Sequence, residues 1–344
     1  MKKEDTYNIL YKEWHKLEQV PGLSKHDIVV RGVNTILSEN QVAIGYKMPS
    51  VVQTAKELGY ANRTVAEAYE TLKGQGLIES RSTKGYFVCS LDTDTKLKIA
   101  LIMYAFHSFQ ETFYNIFREQ LGESYRIDVF FHHNNISLFK TILETTQYNY
   151  GMYVIAPIQE PEIVDRIQQI SPEKVLLIDR FIKIPKDYSY VVQEFEYTTY
   201  HKLLELLPNI QKFDKFVLFF KEEGDYPKGI YRGFMNFTED YSIEAEVWET
   251  YTSNKLTSNT LYYFIGDSFY WELLRDVQQQ GYQVGSDIGI ISQNDSIDKE
   301  ITFGGITTLS TDFTQMAKQA AVHIQTRKKV RSIIPSQLIR RNSL

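Results

Sequence analysis

Short apolar runs alternate with amphipathic helical stretches from residue 98 to residue 325, and this rhythm restricts the fold more than any other feature. Runs such as 98–103, Met152–Ile155 and 175–178 have the length of buried strands. Between them lie stretches with helical periodicity, for example 110–121. Alternating strands and helices are typical of parallel sheets that are covered on both faces. The sequence therefore predicts an α/β fold in which about ten strands form two such sheets.

The first 90 residues have a different pattern. Ser50 is a plausible N-cap for a helix over Val51–Leu58, and Gly59 ends that helix before a tight turn. Two strands joined by a short polar turn then close the segment. This order of elements describes a winged helix-turn-helix. The predicted elements are helices at 7–17, 28–37, 51–58 and 62–73, followed by strands at 77–81 and 86–88.

A polar run at 90–95 separates the two patterns and has no apolar periodicity, which is typical of a linker. We therefore predict three segments. Residues 1–90 form the winged helix-turn-helix domain, residues 91–96 the linker, and residues 97–344 a larger α/β domain.

Composition narrows the class of protein. The chain has one cysteine, Cys89, which excludes an intrachain disulfide framework and fits a reducing compartment. No stretch approaches the roughly 20 apolar residues that a membrane span needs, and acidic Glu4 and Asp5 follow the first lysines where a signal peptide would be apolar. We expect a cytoplasmic protein without a membrane partner. Residues 1–92 carry 12 Lys and Arg against 11 Asp and Glu, so the start of the chain is neutral enough to permit DNA binding.

Residues 46–88 carry a dense set of motif positions: Pro49, Ser50, Leu58, Gly59, Thr64, Val65, Gly76, Leu77, Ile78, Gly85, Phe87 and Val88. On these positions the segment resembles the winged helix-turn-helix of GntR-family bacterial regulators. Two positions depart from that family, because Val52 and Ala66 stand where many members have arginines that meet DNA. The resemblance implies binding to double-stranded operator DNA, with more of the contact left to other residues.

The helix predicted at 62–73 would enter the major groove with its first residues at base edges. Asn62 suits adenine, and Arg63 suits guanine or a phosphate. Asn62 could instead be a simple N-cap, and Arg63 a solvated surface residue. Gly85 lets the wing turn tightly, so that its neighbours approach the DNA backbone. The candidate DNA-binding residues are Ser50, Asn62, Arg63, Thr64, Arg81, Lys84, Gly85 and Tyr86.

The remainder of the chain contains several short motifs: Ile178-Asp179-Arg180, Tyr231-Arg232-Gly233-Phe234, Phe264-Ile265-Gly266-Asp267, Ile306-Thr307-Thr308-Leu309 and the tail from Pro335 to Ser343. On these segments it resembles the sugar-binding domain of LacI-type regulators, which is related to periplasmic sugar-binding proteins. The resemblance implies two lobes joined by three crossings, near 192–194, 292–294 and 307–311.

In this family an arginine on the helix of the Arg-Gly-Phe segment donates to sugar oxygens, so Arg232 is the first candidate for ligand contact. Acidic side chains at the carboxyl ends of strands are further candidates, because open α/β sheets bind ligands there. Purely structural roles remain open: a salt bridge for Arg232, a helix cap for Asp267 and a loop turn for Asp295. The candidate ligand-binding residues are Phe106, His107, Phe109, Arg232, Asp267, Asn294 and Asp295. His107 could equally be a surface loop residue.

The sequence contains no phosphate-binding glycine loop, no nucleophile elbow and no HExxH pair, so we expect neither an enzyme nor a cofactor. His132 and His133 adjoin but have no partners at metal-ligand spacing, and we expect both at the surface. We predict a dimeric, sugar-responsive transcriptional regulator, most often a repressor in this family, that acts on carbohydrate-utilisation genes. The alternative is a ligand-binding α/β protein or enzyme whose N-terminal segment mediates protein contacts.

Overall fold

The computed structural model describes residues 3–20, 23–91, 93, 97–146, 150–222 and 226–344. Of the predicted linker at 91–96, residues 92 and 94–96 lie outside this range. The element order predicted for the first 90 residues is present, and we call residues 3–91 the head. Its elements are α1 (Lys3–Glu18), α2 (Lys25–Ser38), α3 (Val51–Leu58), α4 (Asn62–Gly74), β1 (Ile78–Arg81) and β2 (Gly85–Val88).

The head has a hydrophobic core of its own, centred on the fully buried Trp14. The indole nitrogen of Trp14 donates to the carbonyl of Val29 at 3.0 Å. Its ring lies against Gly32, where a Cβ atom would come within 2.2 Å of the indole. The glycine therefore allows α1 to pack closely on α2. Among the described helices of the whole chain, none has the length and apolar character needed to cross a bilayer.

The larger part of the chain follows the predicted alternation of strands and helices. In chain order its elements are β3 (Leu97–Met103), α5 (Ser108–Leu121), β4 (Tyr125–Phe131), α6 (Ile136–Thr146), β5 (Met152–Ile155), α7 (Pro161–Ile167), β6 (Val175–Arg180), β7 (Ser189–Gln193), α8 (Glu196–Glu205), α9 (Leu207–Ile210), β8 (Lys215–Phe219), α10 (Lys228–Asp240), β9 (Ala245–Trp248), β10 (Thr260–Phe264), α11 (Tyr270–Gln280), β11 (Ile288–Gln293), α12 (Ile297–Ile301), β12 (Thr307–Thr311), α13 (Phe313–Thr326), β13 (Arg331–Ile334) and β14 (Ser336–Ile339).

These strands form two six-stranded sheets, each the centre of one lobe. Lobe 1 (97–193 and 313–334) has the order β13-β7-β6-β5-β3-β4, with every neighbouring pair parallel. Lobe 2 (196–311 and 336–344) has the order β14-β12-β11-β10-β8-β9, with only β14 antiparallel to its neighbour. A separate hydrophobic cluster covers each face of each sheet. The predicted architecture of two covered, largely parallel sheets is confirmed.

The chain passes between the lobes after β7, after β12 and after β13. The crossing expected near 292–294 is wrong, because β11 and β12 are hydrogen-bonded neighbours in the same sheet. The third crossing lies at Pro335, between β13 of lobe 1 and β14 of lobe 2. β13 and β14 are four residues each and no amphipathic helix follows either strand, so the rhythm of the sequence did not reveal them.

His132 was expected at the surface and is instead buried, with 2% of its surface exposed. Its Nε2 atom lies 3.1 Å from the carbonyl oxygen of Ala156, and its Nδ1 accepts from the amide of Asn134 at 3.2 Å. A neutral ring satisfies both contacts, since one nitrogen donates and the other accepts. Burial lowers the pKa of His132 to about 4. His133 is exposed, as expected.

We expect this histidine to make the fold less stable in mild acid. The unfolded chain binds a proton with a pKa near 6.5, whereas the folded chain resists protonation until about pH 4. Stability is therefore lost as the pH falls from about 6.5 towards 4, by about 2 kcal/mol between pH 7 and pH 5. Urea unfolding at both pH values should show this loss in wild type and in the control His133→Gln. His132→Gln should show a loss about 2 kcal/mol smaller; an equal loss would contradict the assignment.

Candidate functional site

The start of α4 is an exposed helix end without a side-chain cap. Ala61 occupies the N-cap position, and no side chain accepts from the first amides of the helix. Asn62 is the first helical residue and is exposed, so it does not act as the N-cap. Thr64 is half-buried beside it. The free amides and the positive end of the helix dipole give this end an affinity for anions.

The side chain of Arg63 is 89% exposed. Of the predicted DNA-binding residues that form a described ion pair, Arg63 is the most exposed. Its Nε donates to Glu67, one helical turn further on, at 2.8 Å. Ser50 is exposed at the start of α3, where its hydroxyl accepts from the Gln53 amide at 3.2 Å. The Gln53 side chain accepts in return from the Ser50 amide, which completes a capping box.

The hairpin of β1 and β2 turns at residues 82–84 and re-enters β2 at Gly85, whose φ is 100°. A side chain at that φ would be strained, so glycine is required. Lys84 is exposed at the tip. Arg81 lies with its guanidinium 4.5 Å from the centre of the Phe87 ring, and its Nε donates to Glu79 at 2.7 Å.

Tyr86 belongs partly to the core of the head. Its ring meets the fully buried Tyr69 edge-on, with 5.0 Å between ring centres. Burial raises the pKa of Tyr86. This packing directs much of the Tyr86 side chain into the head. Of the two residues beside Gly85, Lys84 is therefore the more exposed.

A second candidate site is the interlobe cleft, a cavity of about 400 Å³ between the carboxyl ends of the two sheets. Lobe 1 contributes Tyr104, His107, Ser108, Phe109, Asp179, Arg180 and Gln193. Lobe 2 and the crossing contribute Phe195, Lys221, Tyr226, Pro227, Ile230, Ile265, Gly266, Asp267, Ser268, Gln293, Asn294 and Lys299. The volume suits a small polar molecule, and the mixture of aromatic and hydrogen-bonding groups is typical of small-molecule sites.

Four of the predicted ligand-binding residues lie together in this cleft: His107, Phe109, Asp267 and Asn294. His107 stands at the N-cap of α5, and its ring stacks between those of Tyr104 and Phe109 at about 6 Å. Asp267 pairs with the Nζ of Lys299 at 3.0 Å. It does not cap its helix, because Phe269 holds the N-cap position of α11.

Asn294 has a backbone φ of 58° and a side-chain oxygen that is buried without a hydrogen-bond partner among the described residues. A buried acceptor without a donor is costly, and such groups often mark a place where a bound molecule supplies the missing partner. The nearby Lys299 cannot supply it. Its Nζ donates to the backbone carbonyls of Gln293 and Asn294, at 2.9 Å each.

Arg232, Phe106 and Asp295 do not line the cleft that they were predicted to line. Arg232 lies on the outer side of α10 and pairs with Glu196, while Ile230, two residues earlier, is buried and lines the cleft. Two residues along a helix differ by about 200°, so only one of them can face inward. Phe106 is 48% exposed and packs on the rings of Tyr114 and Phe131.

Asp295 forms a bidentate ion pair with Arg341 of the tail. The two contacts measure 2.6 and 2.9 Å, and the hydroxyl of Thr308 donates to the same carboxylate at 2.8 Å. Burial by itself raises the pKa of Asp295, but the bonds from Arg341 and Thr308 outweigh it and hold that pKa below the usual range. This carboxylate joins β11, β12 and the tail.

Sequence reasoning missed several cleft residues that stand directly after strands. Lys221 follows β8 by two residues, and Asp179 and Arg180 end β6. Asp179 has a φ of 65° and accepts from the side chain of Gln193, at the first crossing. Their positions at strand ends could have identified them, because ligands bind at the carboxyl ends of parallel strands. No group of three or more His, Cys, Asp or Glu that could hold a metal occurs within the described ranges.

Comparison with known proteins places the two-lobed part among solved folds. No family model matches the chain, and no curated protein matches it in sequence. A dimeric Lac repressor with a C-terminal deletion and one substitution superposes with a TM-score of 0.60 and 13% identity, over 72% of this chain and 98% of that one. A LacI-family regulator from Lactobacillus casei with bound glucose superposes with a TM-score of 0.60 and 13% identity, over 72% of this chain and 100% of that one. Another from Enterococcus faecium with bound ribose superposes with a TM-score of 0.59 and 14% identity, over 72% of this chain and 98% of that one. The two lobes therefore have the periplasmic-binding-protein-like fold of LacI-family regulators.

Proposed function

We propose that this chain is a cytoplasmic, dimeric transcriptional regulator, acting as a repressor of carbohydrate-utilisation genes under the control of a monosaccharide or a derivative of one. Residues 1–90 would be a winged helix-turn-helix of the GntR type, residues 91–96 a linker, and residues 97–344 the effector-binding domain. The observation that carries the proposal is the union, in one chain, of an exposed cationic helix start beside a wing and a polar cleft between two lobes.

In the head, α4 would enter the major groove with Asn62 and Arg63 at base edges. Thr64 and the uncapped amides of α4 would meet phosphate oxygens, as would Ser50 at the start of α3. Lys84 would contact the DNA backbone from the wing, with Arg81 beside it. In this proposal Tyr86 and Gly85 shape the wing more than they contact DNA, because Tyr86 packs on Tyr69.

In the body, a sugar would bind in the interlobe cleft and draw the lobes together. His107 and Phe109 present aromatic faces, which suit the apolar face of a sugar ring, while Asp267 and Asn294 offer acceptors for hydroxyl groups. Solved proteins of the same fold bind glucose and ribose. Closure would alter the separation of the two heads in a dimer and hence their fit to a palindromic operator.

The proposal is tested by binding of the full chain to DNA from the region upstream of its own gene, over a range of salt concentrations. We expect affinity to fall steeply as salt rises, because phosphate contacts release counterions. A sugar that stabilises the protein should weaken this binding. Binding that is absent, or that does not respond to salt, would instead favour a head that contacts protein.

The effector site has its own test in thermal unfolding with a panel of monosaccharides and sugar phosphates. A ligand present at 100 times its Kd should raise the free energy of unfolding by about 2.7 kcal/mol. Asn294→Gly removes the side-chain oxygen that has no partner and keeps a residue that tolerates φ near 58°, so it should lower affinity about tenfold.

Asn259→Gly is the matched control, because Asn259 also has a positive φ, 56°, but does not line the cleft. Arg232→Ala should leave sugar binding unchanged, since Arg232 pairs with Glu196 outside the cleft. Equal sugar affinity in wild type and Asn294→Gly would rule out the proposed acceptor. A loss of affinity in Arg232→Ala alone would move the site to α10.

A further inference from the structure

The side of α4 that would enter DNA is turned towards lobe 1. The helix buries Val65, Ala68, Tyr69 and Leu72 in the head. With about 100° between successive residues, the opposite side carries Arg63, Glu67, Glu70 and Gly74. We call these four residues the reading face, because the face opposite the core is the one that a recognition helix presents to the groove.

The reading face forms one wall of a cleft of about 1040 Å³ whose other wall is the amino-terminal edge of the lobe 1 sheet. We call this space the head cleft. Its lobe 1 wall includes Gly151, just before β5, and Glu173 and Lys174, just before β6. The reading face thus faces lobe 1 of its own chain across the head cleft.

Direct contacts close the head cleft at the carboxyl end of α4. A Cβ atom on Gly74 would lie 3.0 Å from the Cα of Gly151, so the two backbones touch. The carboxylate of Glu70 pairs with the Nζ of Lys174 at 3.5 Å. At the other end of the helix, Glu67 is the main cause of the raised pKa of Arg63, and Glu173 of lobe 1 adds to it.

These contacts are incompatible with DNA on the reading face. A recognition helix seated in the major groove, roughly 12 Å wide and 8.5 Å deep, has a phosphate strand on either side of it. No DNA strand can pass between Gly74 and Gly151 while the two protein backbones are in contact. Two carboxylates on the reading face, Glu67 and Glu70, would also face phosphates in the groove. Within α4 they pair with Arg63 and Lys73, and the docked arrangement adds Lys174 as a second partner of Glu70.

We propose that lobe 1 is a docking surface for the recognition helix of its own head, and that operator binding requires this helix to leave lobe 1. The proposal rests on the function proposed above for the head. It gives Glu70, Gly74, Gly151 and Lys174 the role of holding a DNA-incompetent state, and none of these residues was expected to have a functional role.

β6 is one of the strands of lobe 1 that connect the docking surface to the interlobe cleft. β6 starts directly after Lys174 in the head cleft and ends at Asp179 and Arg180 in the interlobe cleft. Six residues of strand span about 20 Å. A shift of β6 when an effector binds at one end would therefore move the docking contact at the other.

Docking is measured without DNA by zero-length carbodiimide cross-linking of the full chain, followed by mass spectrometry of its peptides. This reagent joins an amine to a carboxylate in contact, so a Glu70–Lys174 product is expected from the free protein. Saturating operator DNA should abolish that product. Absence of the product from free protein, or its full retention on operator, would overturn the proposal. Because the first arm needs no DNA, failure of docking and failure of DNA binding are distinguishable.

The functional arm uses Gly74→Leu, whose side chain would collide with the backbone of Gly151 while improving the helix propensity of α4. If the docked state holds about 90% of the molecules, release raises operator affinity about tenfold. Lys174→Glu repels Glu70 and should also raise affinity, whereas the control Lys212→Glu, an exposed lysine of lobe 2, should not. Affinities at or below wild type in both Gly74→Leu and Lys174→Glu would overturn the proposal; circular dichroism checks that each variant is folded.

Discussion

Replacing Arg63 and Lys84 together by alanine is expected to weaken binding of the full chain to its operator about a thousandfold. Arg63 is at the amino-terminal end of α4, where a recognition helix contacts base edges, and its side chain is almost fully exposed. Lys84 is at the tip of the wing, where it would contact phosphate. Val52 and Ala66 supply no charge near the starts of α3 and α4, so Arg63 is the exposed cation at the start of α4.

The two substitutions should differ in kind. Arg63→Ala should cost about ten- to a hundredfold and relax sequence preference at one base pair. Lys84→Ala should weaken binding to all sequences alike and reduce the salt slope by about 1. Fluorescence anisotropy of labelled operator and of scrambled DNA, at several salt concentrations, separates these effects.

The matched control is Arg126→Ala with Lys202→Ala, which removes two positive charges from the lobes and leaves the head unchanged. We expect this control to bind operator within about twofold of wild type. If both double variants lose affinity equally, the effect is one of net charge, and the assignment of Arg63 and Lys84 to DNA contact fails.

Replacing Arg341 by alanine is expected to lower the free energy of unfolding by about 3 kcal/mol. Arg341 and Asp295 have side-chain exposures of 14% and 25%. Removal of the guanidinium leaves a largely buried carboxylate with the Thr308 hydroxyl as its remaining side-chain donor. The partial exposure of Asp295 places the cost at the lower end of the range for a broken buried ion pair.

The pH dependence of this loss has a definite sign. Because the folded-state pKa of Asp295 is lowered, its stabilisation is present above the unfolded pKa, about 3.9, and is lost as the pH falls through the folded value. Without Arg341, burial raises the pKa of this carboxyl, so the difference between wild type and Arg341→Ala should be full at pH 7 and shrink as the pH falls through the raised value of the variant towards the lowered wild-type value.

Urea unfolding measures both quantities, with the neighbouring Arg340→Ala as control. Arg340 is exposed and donates to the carbonyl of Glu205, so its loss should cost less than about 1 kcal/mol. Combining Asp295→Asn with Arg341→Ala should restore part of the stability, because the uncompensated charge is gone. Unchanged stability in Arg341→Ala, with sugar binding lost in Asp295→Asn, would return Asp295 to the ligand site.

Local signals predicted several elements to the residue. α3 begins after Ser50 and ends at Leu58, because a capping box starts it and a left-handed Gly59 stops it. β5 was also predicted with its true bounds, because a short apolar run between Gly151 and Ala156-Pro157 is a strong signal for a buried strand. The same signals determined the α/β class and the two covered sheets, since they depend only on the order of elements along the chain.

Side-chain destinations depended on contacts that no local pattern contains. Arg232 and Ile230 share one helix, and only the packing of α10 against the rest of lobe 2 decides that Ile230 faces the cleft. Asp295 meets Arg341 across 46 residues of sequence. His132 is polar in the sequence but fills a buried site between Tyr104 and Phe139, where the carbonyl of Ala156 satisfies it.

The sequence by itself determined the order of elements, the covered parallel sheets and the exposed helix start at Asn62 and Arg63, because capping, turns and hydrophobic period act over a few neighbouring residues. Only the tertiary structure decided which side chains share the interlobe cleft, where the third crossing lies and that the reading face of α4 is turned to lobe 1. Those features arise from contacts between segments far apart in the chain, such as Gly74 with Gly151, whose geometry is fixed only when whole elements pack together.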